Sequence, residues 1–443
     1  MKLEGSTNTL QLAEITYVPE LPNDVIQDAT YEIAANKALV VGNSHRFFNK
    51  YPAKYIPHIP RWAISKYLGP EDDGILDPFC GSGTTLVEGM LQGKNGYGID
   101  VDPFARLLTK VKTRPFSSVE LRTLDRTVLA IRNRIEQSVP ITIELPPIPD
   151  ITKWFREDII DKLIKIKQLI IAETGGEGVI FDYLSIVLAG IIRKVSNAEN
   201  GSPKPYISTR FPKDPQDPYL YFFKIQELYR EALGQFSHEI FNQTNFGLQR
   251  VVPDIKLVGT DARDFVLDKK IKLAVTSPPY INAFDYVRSL KFENLWLGLA
   301  DPDDLLEIRR QHVGTESLGE RGRNDNLTEV FNIPSLDSAI YELRESDSKR
   351  ASIVTAFFED MRKNLGRVYN ALDDNGTYVI VIGDSLIRGV EIPTADILAS
   401  MGNEFGFKLE LKFQYVIRDR YLHIPRGGKG GLIKLDRIIV LRK

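Results

Sequence analysis

Ser277 and Tyr280 flank two prolines directly after the apolar run Ile271 to Val275. Prolines supply no backbone donor and fix φ, so the chain must leave any strand at that point. The run itself is short, apolar and β-prone apart from Lys272, as a buried strand should be. Ser277, Pro278, Pro279 and Tyr280 therefore read as a rigid hook at a strand's carboxyl end, the edge where open α/β sheets bind ligands. A proline turn carrying a surface tyrosine is the bland alternative.

A second constellation lies far upstream. In Asp77-Pro-Phe-Cys-Gly-Ser-Gly-Thr-Thr85, Gly81 and Gly83 sit between a strand and a helix. Glycines there let backbone approach a ligand, and a helix N-terminus offers unpaired N–H groups. No lysine follows these glycines, so a phosphate-cradling P-loop drops out. Leu86 stands where a dinucleotide fingerprint needs a third glycine, which weakens that reading. A methionine-derived nucleoside remains, because it needs the close backbone but no pyrophosphate site. Asp100 ends the next strand, 17 residues beyond Gly83 (100 − 83), placed to accept from two ribose hydroxyls. A tight turn with a solvated aspartate competes. Asp261, ending a third strand, could accept from an exocyclic adenine amine or merely cap a helix.

The surrounding chain explains how such residues would be held. It has 443 residues, 43% hydrophobic and 26% charged, and suits a soluble α/β protein of two or three domains, or one domain with large insertions. Residues 75–100 read as a βαβ unit. Later strands are expected at Ile255 to Phe265, Ile271 to Val275, after the Asp-Asn-Gly turn near 376, and in two closing segments. They make seven strands of one mostly parallel, Rossmann-like sheet. Residues 1–112 form the N-terminal segment and cofactor half, and residues 251–443 the catalytic half, with a polar insertion near 303–350. Between them, residues 113–250 read as a large helical insertion between the second and third strands, a possible target-recognition or lid region. Its first helix is announced by the Ser117-x-x-Glu120 capping box.

Composition narrows the setting. The single cysteine, Cys80, rules out internal disulfides and fits a reducing, cytoplasmic compartment. Five scattered histidines show no ligand spacing, so no metal is expected. The start of the chain lacks a signal-peptide core, and the apolar run from Val179 contains Asp182, so a buried helix is expected rather than a membrane span.

The two constellations occur together in the order of one family. The chain resembles the S-adenosylmethionine-dependent DNA amino-methyltransferases, whose first motif is similar to Asp77–Thr85 and whose fourth is similar to Thr276–Tyr280. Tyr51, Pro52, Ala53 and Lys54 resemble the element that packs beside the methionine moiety. The resemblance implies S-adenosylmethionine as cofactor, held by those four, by Asp77, Pro78, Phe79, Cys80, Gly81, Ser82, Gly83, Thr84 and Thr85, by Asp100 and Val101, and by Asp261 and Ala262. Within the family, Ser-Pro-Pro-Tyr is more often associated with N4 of cytosine than with N6 of adenine. The position of the helical insertion departs from the usual target-domain site.

The residues support that chemistry independently. An exocyclic base amine is a poor nucleophile because its lone pair is delocalised. Ser277 Oγ and the Pro278 carbonyl can accept from it and aim that lone pair, with the prolines holding both acceptors rigid. The base must leave the duplex, and Tyr280 is placed to stack on it. Asn282, Asp285, Tyr286 and Arg288, just beyond the hook, are candidates for base or DNA contact. Methylation at cytosine C5 needs a cysteine nucleophile, and the only cysteine lies in the glycine turn. Net charge is −2, so double-stranded DNA must be met by local clusters. The favoured cluster is Arg418, Arg420, Arg426 and Lys429. Next come Arg309, Arg310, Arg321 and Arg323, then Lys204, Arg210 and Lys213. A cognate restriction endonuclease is a possible partner. Adenine N6, guanosine N2 in RNA, a catalytically inactive nucleic-acid-binding subunit and a Pro-Pro-Tyr ligand for an adaptor are the alternatives.

Overall fold

The structure is a computed structural model and describes residues 15–33, 45, 51–52, 54–137, 144–200, 202, 204–210, 212–245, 251–281, 285–319, 330–417 and 434–443. Its strands are β1 (Ile15–Val18), β2 (Thr30–Ile33), β3 (Ile75–Asp77), β4 (Gly96–Ile99), β5 (Ile255–Gly259), β6 (Ile271–Thr276), β7 (Leu372–Ile382), β8 (Ser385–Ile387), β9 (Val390–Ile392), β10 (Lys408–Val416) and β11 (Leu435–Arg442). The helices are α1 (His58–Tyr67), α2 (Thr84–Leu91), α3 (Pro103–Lys112), α4 (Ser118–Ile135), α5 (Ile151–Trp154), α6 (Glu157–Thr174), α7 (Gly178–Val195), α8 (Pro218–Asn245), α9 (Tyr286–Leu297), α10 (Pro302–Gln311), α11 (Pro334–Ser346), α12 (Ser348–Ala371) and α13 (Thr394–Gly402).

Nine strands form one sheet in the order β1-β2-β10-β11-β7-β6-β3-β4-β5. The seven expected strands are its continuous block from β10 to β5. The sequence reading did not foresee β1 and β2, which extend the β10 edge through parallel pairing. Their four-residue runs are too short to show a period. All neighbours pair in parallel except β11, which is antiparallel to both β10 and β7. β8 and β9 form a separate hairpin.

Period-two alternation sorts the sheet's two faces. Ile75, Leu273, Val275, Val379, Val381, Ile438 and Val440 pack with α1 and α2. Their neighbours Leu76, Ala274, Tyr378, Ile380 and Ile439 pack with α11, α12 and α13. Near-continuous apolar strands covered by helices on both sides are what a buried parallel sheet requires. The expected Asp-Asn-Gly turn is absorbed within β7. Its register with β6 jumps from Leu372 to Thr377, and Asn375 adopts φ 58° inside the resulting bulge.

Helices α4 to α8 lie between β4 and β5. The Ser117–Glu120 capping box forms, and Leu124, Val128, Ile131 and Ile135 are buried along one stripe of α4. This helical layer shares its core with α3 through Phe104 and Leu108, and with α9 through Phe292 and Trp296. Its apolar faces are thus closed against the elements that follow β4 and the hook, which couples it to the sheet's carboxyl edge. Among the described residues, no helix is long and apolar enough to cross a membrane.

Candidate active site

The carboxyl ends of β3, β4, β5 and β6 open into one cleft of about 730 Å³, part of it facing solvent. Parallel strands deliver their ends to the same edge, so residues far apart in sequence converge there. From the glycine turn, Pro78, Phe79, Cys80, Gly81, Ser82 and Thr84 line the wall. Tyr51, Pro52, Lys54 and Tyr55 form one side, Asp100 and Val101 the floor beyond β4, and Thr260, Asp261 and Ala262 the end beyond β5. Ser277 and Pro279 of the hook reach the same space. Ala53 and Asn282 lie outside the described residues, as do Arg321, Arg323, Arg418, Arg420, Arg426 and Lys429.

The glycine turn is shaped by close approach. Gly81 has φ 49°, and a Cβ there would come within 3.1 Å of the Tyr51 ring. Gly83 has φ 76° and would press a Cβ to 3.0 Å from Thr109. Side chains therefore cannot be added without moving the wall. Beneath the turn, Thr109 Oγ1 donates to the Gly81 carbonyl at 3.0 Å, and the buried Lys112 ammonium donates to that of Ser82 at 2.7 Å. Burial drives the Lys112 pKa well below its ordinary value.

Asp100 accepts from Gly81 N–H at 2.8 Å through one oxygen and from Asp102 N–H at 2.9 Å through the other. Burial raises its pKa to about 7. Asp102 caps α3 by accepting from Phe104 and Ala105 N–H. Asp261 is clamped by Arg263, whose guanidinium donates at 2.8 and 3.0 Å and also pairs with Asp360 at 3.2 Å. Despite the opposing effect of burial, these bonds hold the Asp261 carboxyl below the usual aspartate range.

Asp77, Gly83, Thr85, Pro278, Tyr280, Asp285 and Arg288 are not on the cleft wall. Asp77 is 1% exposed and ties the two constellations together. Its Oδ1 accepts from Thr276 Oγ1 at 2.6 Å and from Phe79 N–H at 3.1 Å, and its Oδ2 from Thr85 Oγ1 at 2.5 Å. One carboxylate thus locks the end of β6, where the hook begins, to the glycine turn and to α2. Burial raises its pKa to about 6 although all three bonds act the other way. Asp285 caps α9 through Arg288 N–H and pairs with Arg309 at 2.8 Å. Arg288 is exposed. Tyr280 turns its hydroxyl away to Asp436 on β11.

Sequence reasoning passed over several groups at this edge. His312 lines the cleft and stacks on Tyr286, with centroids 5.7 Å apart and planes 5° apart. Its Nε2 is buried without a hydrogen-bond partner among the described residues, and burial lowers its pKa to about 4. Nothing in its local sequence marks it. Asp436 was legible only as an acid near the start of a closing strand that also carries Arg437 and Arg442. Of the basic clusters, Arg309 is paired as above, Arg310 pairs with Glu307 at 3.5 Å, and Lys213 turns inward to the carbonyls of Arg193 and Ala198. Among the described residues, no group of three or more His, Cys, Asp or Glu is placed to hold a metal ion.

Comparison with known proteins agrees with this geometry. A family model described as "DNA methylase", for N6 and N4 enzymes, matches residues 24–110, which run from before β2 through the glycine turn and Asp100 into α3. The type II methyltransferase M.MvaI of Kocuria varians is 27% identical over 389 residues, covering 82% of each chain. The type II methyltransferase M.BsoBI of Geobacillus stearothermophilus is 24% identical over 334 residues, 70% of this chain and 62% of that one. Among solved structures, the rRNA methyltransferase AviRa of Streptomyces viridochromogenes aligns with 10% identity and a TM-score of 0.30 over 89% of this chain and 86% of that one, too weak a likeness to argue from. With the strand order, the paired motifs and a relative matched over most of both chains, the protein is similar to the S-adenosylmethionine-dependent DNA amino-methyltransferases.

Proposed function

We propose that the protein methylates N4 of cytosine within a specific sequence of double-stranded DNA. The observation that carries this reading is the position of Ser277, at the wall of the cleft that also holds Asp100 and the glycine turn, on a hook anchored through Thr276 and Asp77. The hydroxyl is a compact acceptor at the one point where strand end, prolines and cofactor wall meet.

The residues present suit S-adenosylmethionine. Two buried polar atoms of residues on the cleft wall, Ser82 Oγ and His312 Nε2, lack partners among the described residues, as groups awaiting a ligand do. When bound, the cofactor supplies an electrophilic methyl on a sulfonium. Asp100 would take the ribose hydroxyls, with Gly81 allowing backbone to lie against the nucleoside. Asp261, already fixed by Arg263, would face the adenine end. Ser277 and the Pro278 carbonyl would accept from the flipped base's amine and orient its lone pair, at no reorganisation cost because the prolines and Asp77 hold the hook.

A companion nuclease follows from the same reading, since the two relatives are named type II methyltransferases. The deciding experiment is incubation with unmethylated duplex DNA and methyl-labelled cofactor, then mass spectrometry of the digested nucleosides. N4-methyldeoxycytidine is expected. N6-methyldeoxyadenosine would transfer the same mechanism to adenine, and no labelled nucleoside would overturn the reading.

A further inference from the structure

Helix α9 leaves the hook almost wholly buried. From Val287 to Trp296, only Arg288 and Lys291 reach solvent. They stand three residues apart, hence on one face of the helix and about one turn from each other. Tyr286, the first residue of α9, lines the cleft, so this face begins beside it. Lys153 of α5, from the helical insertion, joins them. Its Nζ lies 5.8 Å from the Trp154 ring centroid, and Lys291 Nζ lies 4.5 Å from the same ring and 4.9 Å from that of Phe292. Trp154 packs edge-on against Phe292 at 5.2 Å. The carbonyls of Lys153 and Trp154 accept from the Asn197 side-chain amide and backbone N–H at 2.9 and 2.8 Å. The two lysines are thus seated on a fixed aromatic base, which reduces the ordering that a ligand must impose.

Among the described residues, none of these three cations pairs with a carboxylate. The next cations along the chain do: Arg309 is taken by Asp285 and Arg310 by Glu307. Like charges three residues apart on a helix repel. Burial and the charges of Arg288 and Lys153 lower the Lys291 pKa from its ordinary value. In a chain of net charge −2, acids are plentiful, and three cations gathered without one are arranged for an anion from outside.

We propose that Arg288 and Lys291 of α9 and Lys153 of α5 grip neighbouring phosphates of the DNA strand that delivers the target base. This rests on the methyltransferase reading above. A flipped base stays tied to its own backbone, so the flanking phosphates must lie beside the cleft it enters. The two α9 positions are separated by about 4.5 Å of helix rise, and phosphates of one strand recur about every 3.4 Å along the duplex, within the reach of long side chains. Such contacts carry no sequence information. They set the register of the strand against the hook, and they give the helical insertion a part in DNA binding through α5.

The test is binding of the full chain to unmethylated duplex DNA across a salt series, with transfer of tritiated methyl to the same DNA measured in parallel. Replacing all three by glutamine (Lys153→Gln, Arg288→Gln, Lys291→Gln) should lower the salt slope by about two to three units and weaken binding at about 0.1 M salt by tenfold or more. The S-adenosylmethionine dissociation constant should stay within about twofold of the parent. A parental slope and affinity in this variant would overturn the proposal, and so would a loss of binding confined to structured RNA. Lys291 is half-buried, so if the triple variant fails to fold the unaltered protein decides. DNA should then shield Lys153 from an amine-acetylating reagent, read by peptide mass spectrometry. Lys408, exposed at the opposite edge of the sheet where β10 begins, should react as before. Lys153 acetylated equally fast with and without DNA overturns the proposal by itself. If the parent transfers no label to DNA, the methyltransferase reading fails, a result distinct from either.

Discussion

Asp100 gives the sharpest quantitative test of the cofactor site. With its pKa raised to about 7, it is largely protonated at pH 6 and largely ionised above pH 7.5. Ribose hydroxyls arriving as donors need its ionised oxygens, each of which already accepts one backbone N–H. Affinity should then follow the ionised fraction, about 0.1 at pH 6 and about 0.8 at pH 7.5, an eightfold change or so. The sign is the reverse of a salt-bridged aspartate. A carboxyl whose pKa is raised by folding adds stability to the free protein that is full below the unfolded value near 4 and gone as pH climbs through about 7. Cofactor binding reverses that loss, so the rise in melting temperature on adding S-adenosylmethionine should grow across the same window. Asp77 also titrates in this range, near 6, but it is off the cleft wall. Lys54, which is on the wall, is held near 8 by burial and stays charged below about pH 7.5. The assay is calorimetric titration at several pH values with buffers of different ionisation enthalpy, so that proton release is counted directly. Asp100→Asn sets its amide nitrogen against one of the two backbone N–H groups and removes an ionic acceptor. It should weaken binding by about tenfold to a hundredfold and flatten the pH dependence. Equal affinity at both pH values in the parent, or the same slope in Asp100→Asn, would refute the assignment.

Three further outcomes are expected. Ser277→Ala should lower turnover by about 10²–10³ and leave cofactor affinity within about twofold, read by steady-state kinetics beside equilibrium binding; a parental rate would remove the hook from the chemistry. Asp77→Asn, which replaces one of two oxygens accepting three donors, should cost roughly 1–3 kcal/mol of folding stability in denaturant titrations, and an unchanged midpoint would mean that the junction of β6 and the glycine turn is held elsewhere. Neutralising Arg418, Arg420 and Lys429 together should lower the salt slope of DNA binding by about one unit for each phosphate that is no longer neutralised; an unaltered slope and affinity would move the DNA path to the helical layer of α4 to α8.

The local signals in this chain were strong because each is satisfied within a few residues. The Ser117–Glu120 capping box and the proline break after β6 need only their own neighbours, and both are legible in the sequence. Strand ends could also be assigned to one edge, because a parallel sheet with covered faces leaves its loops nowhere else to converge. Only the tertiary structure decided what the polar groups at that edge do. Asp77 looks from its motif like a ligand residue, yet Thr276, 199 residues away along the chain, turns it into an internal tie. Tyr280 was expected to offer its ring to a base, and it additionally spends its hydroxyl on Asp436, 156 residues on. His312 carries no motif and reaches the cleft because α9 and α10 stack it on Tyr286. Such pairings depend on strand order and register, and on the antiparallel entry of β11 that brings Asp436 beside Tyr415 and under the hook. Hydrophobic periodicity specifies which face of a strand is buried. Which distant acid meets which hydroxyl is settled by packing in three dimensions, where a buried carboxylate must find donors wherever the fold supplies them.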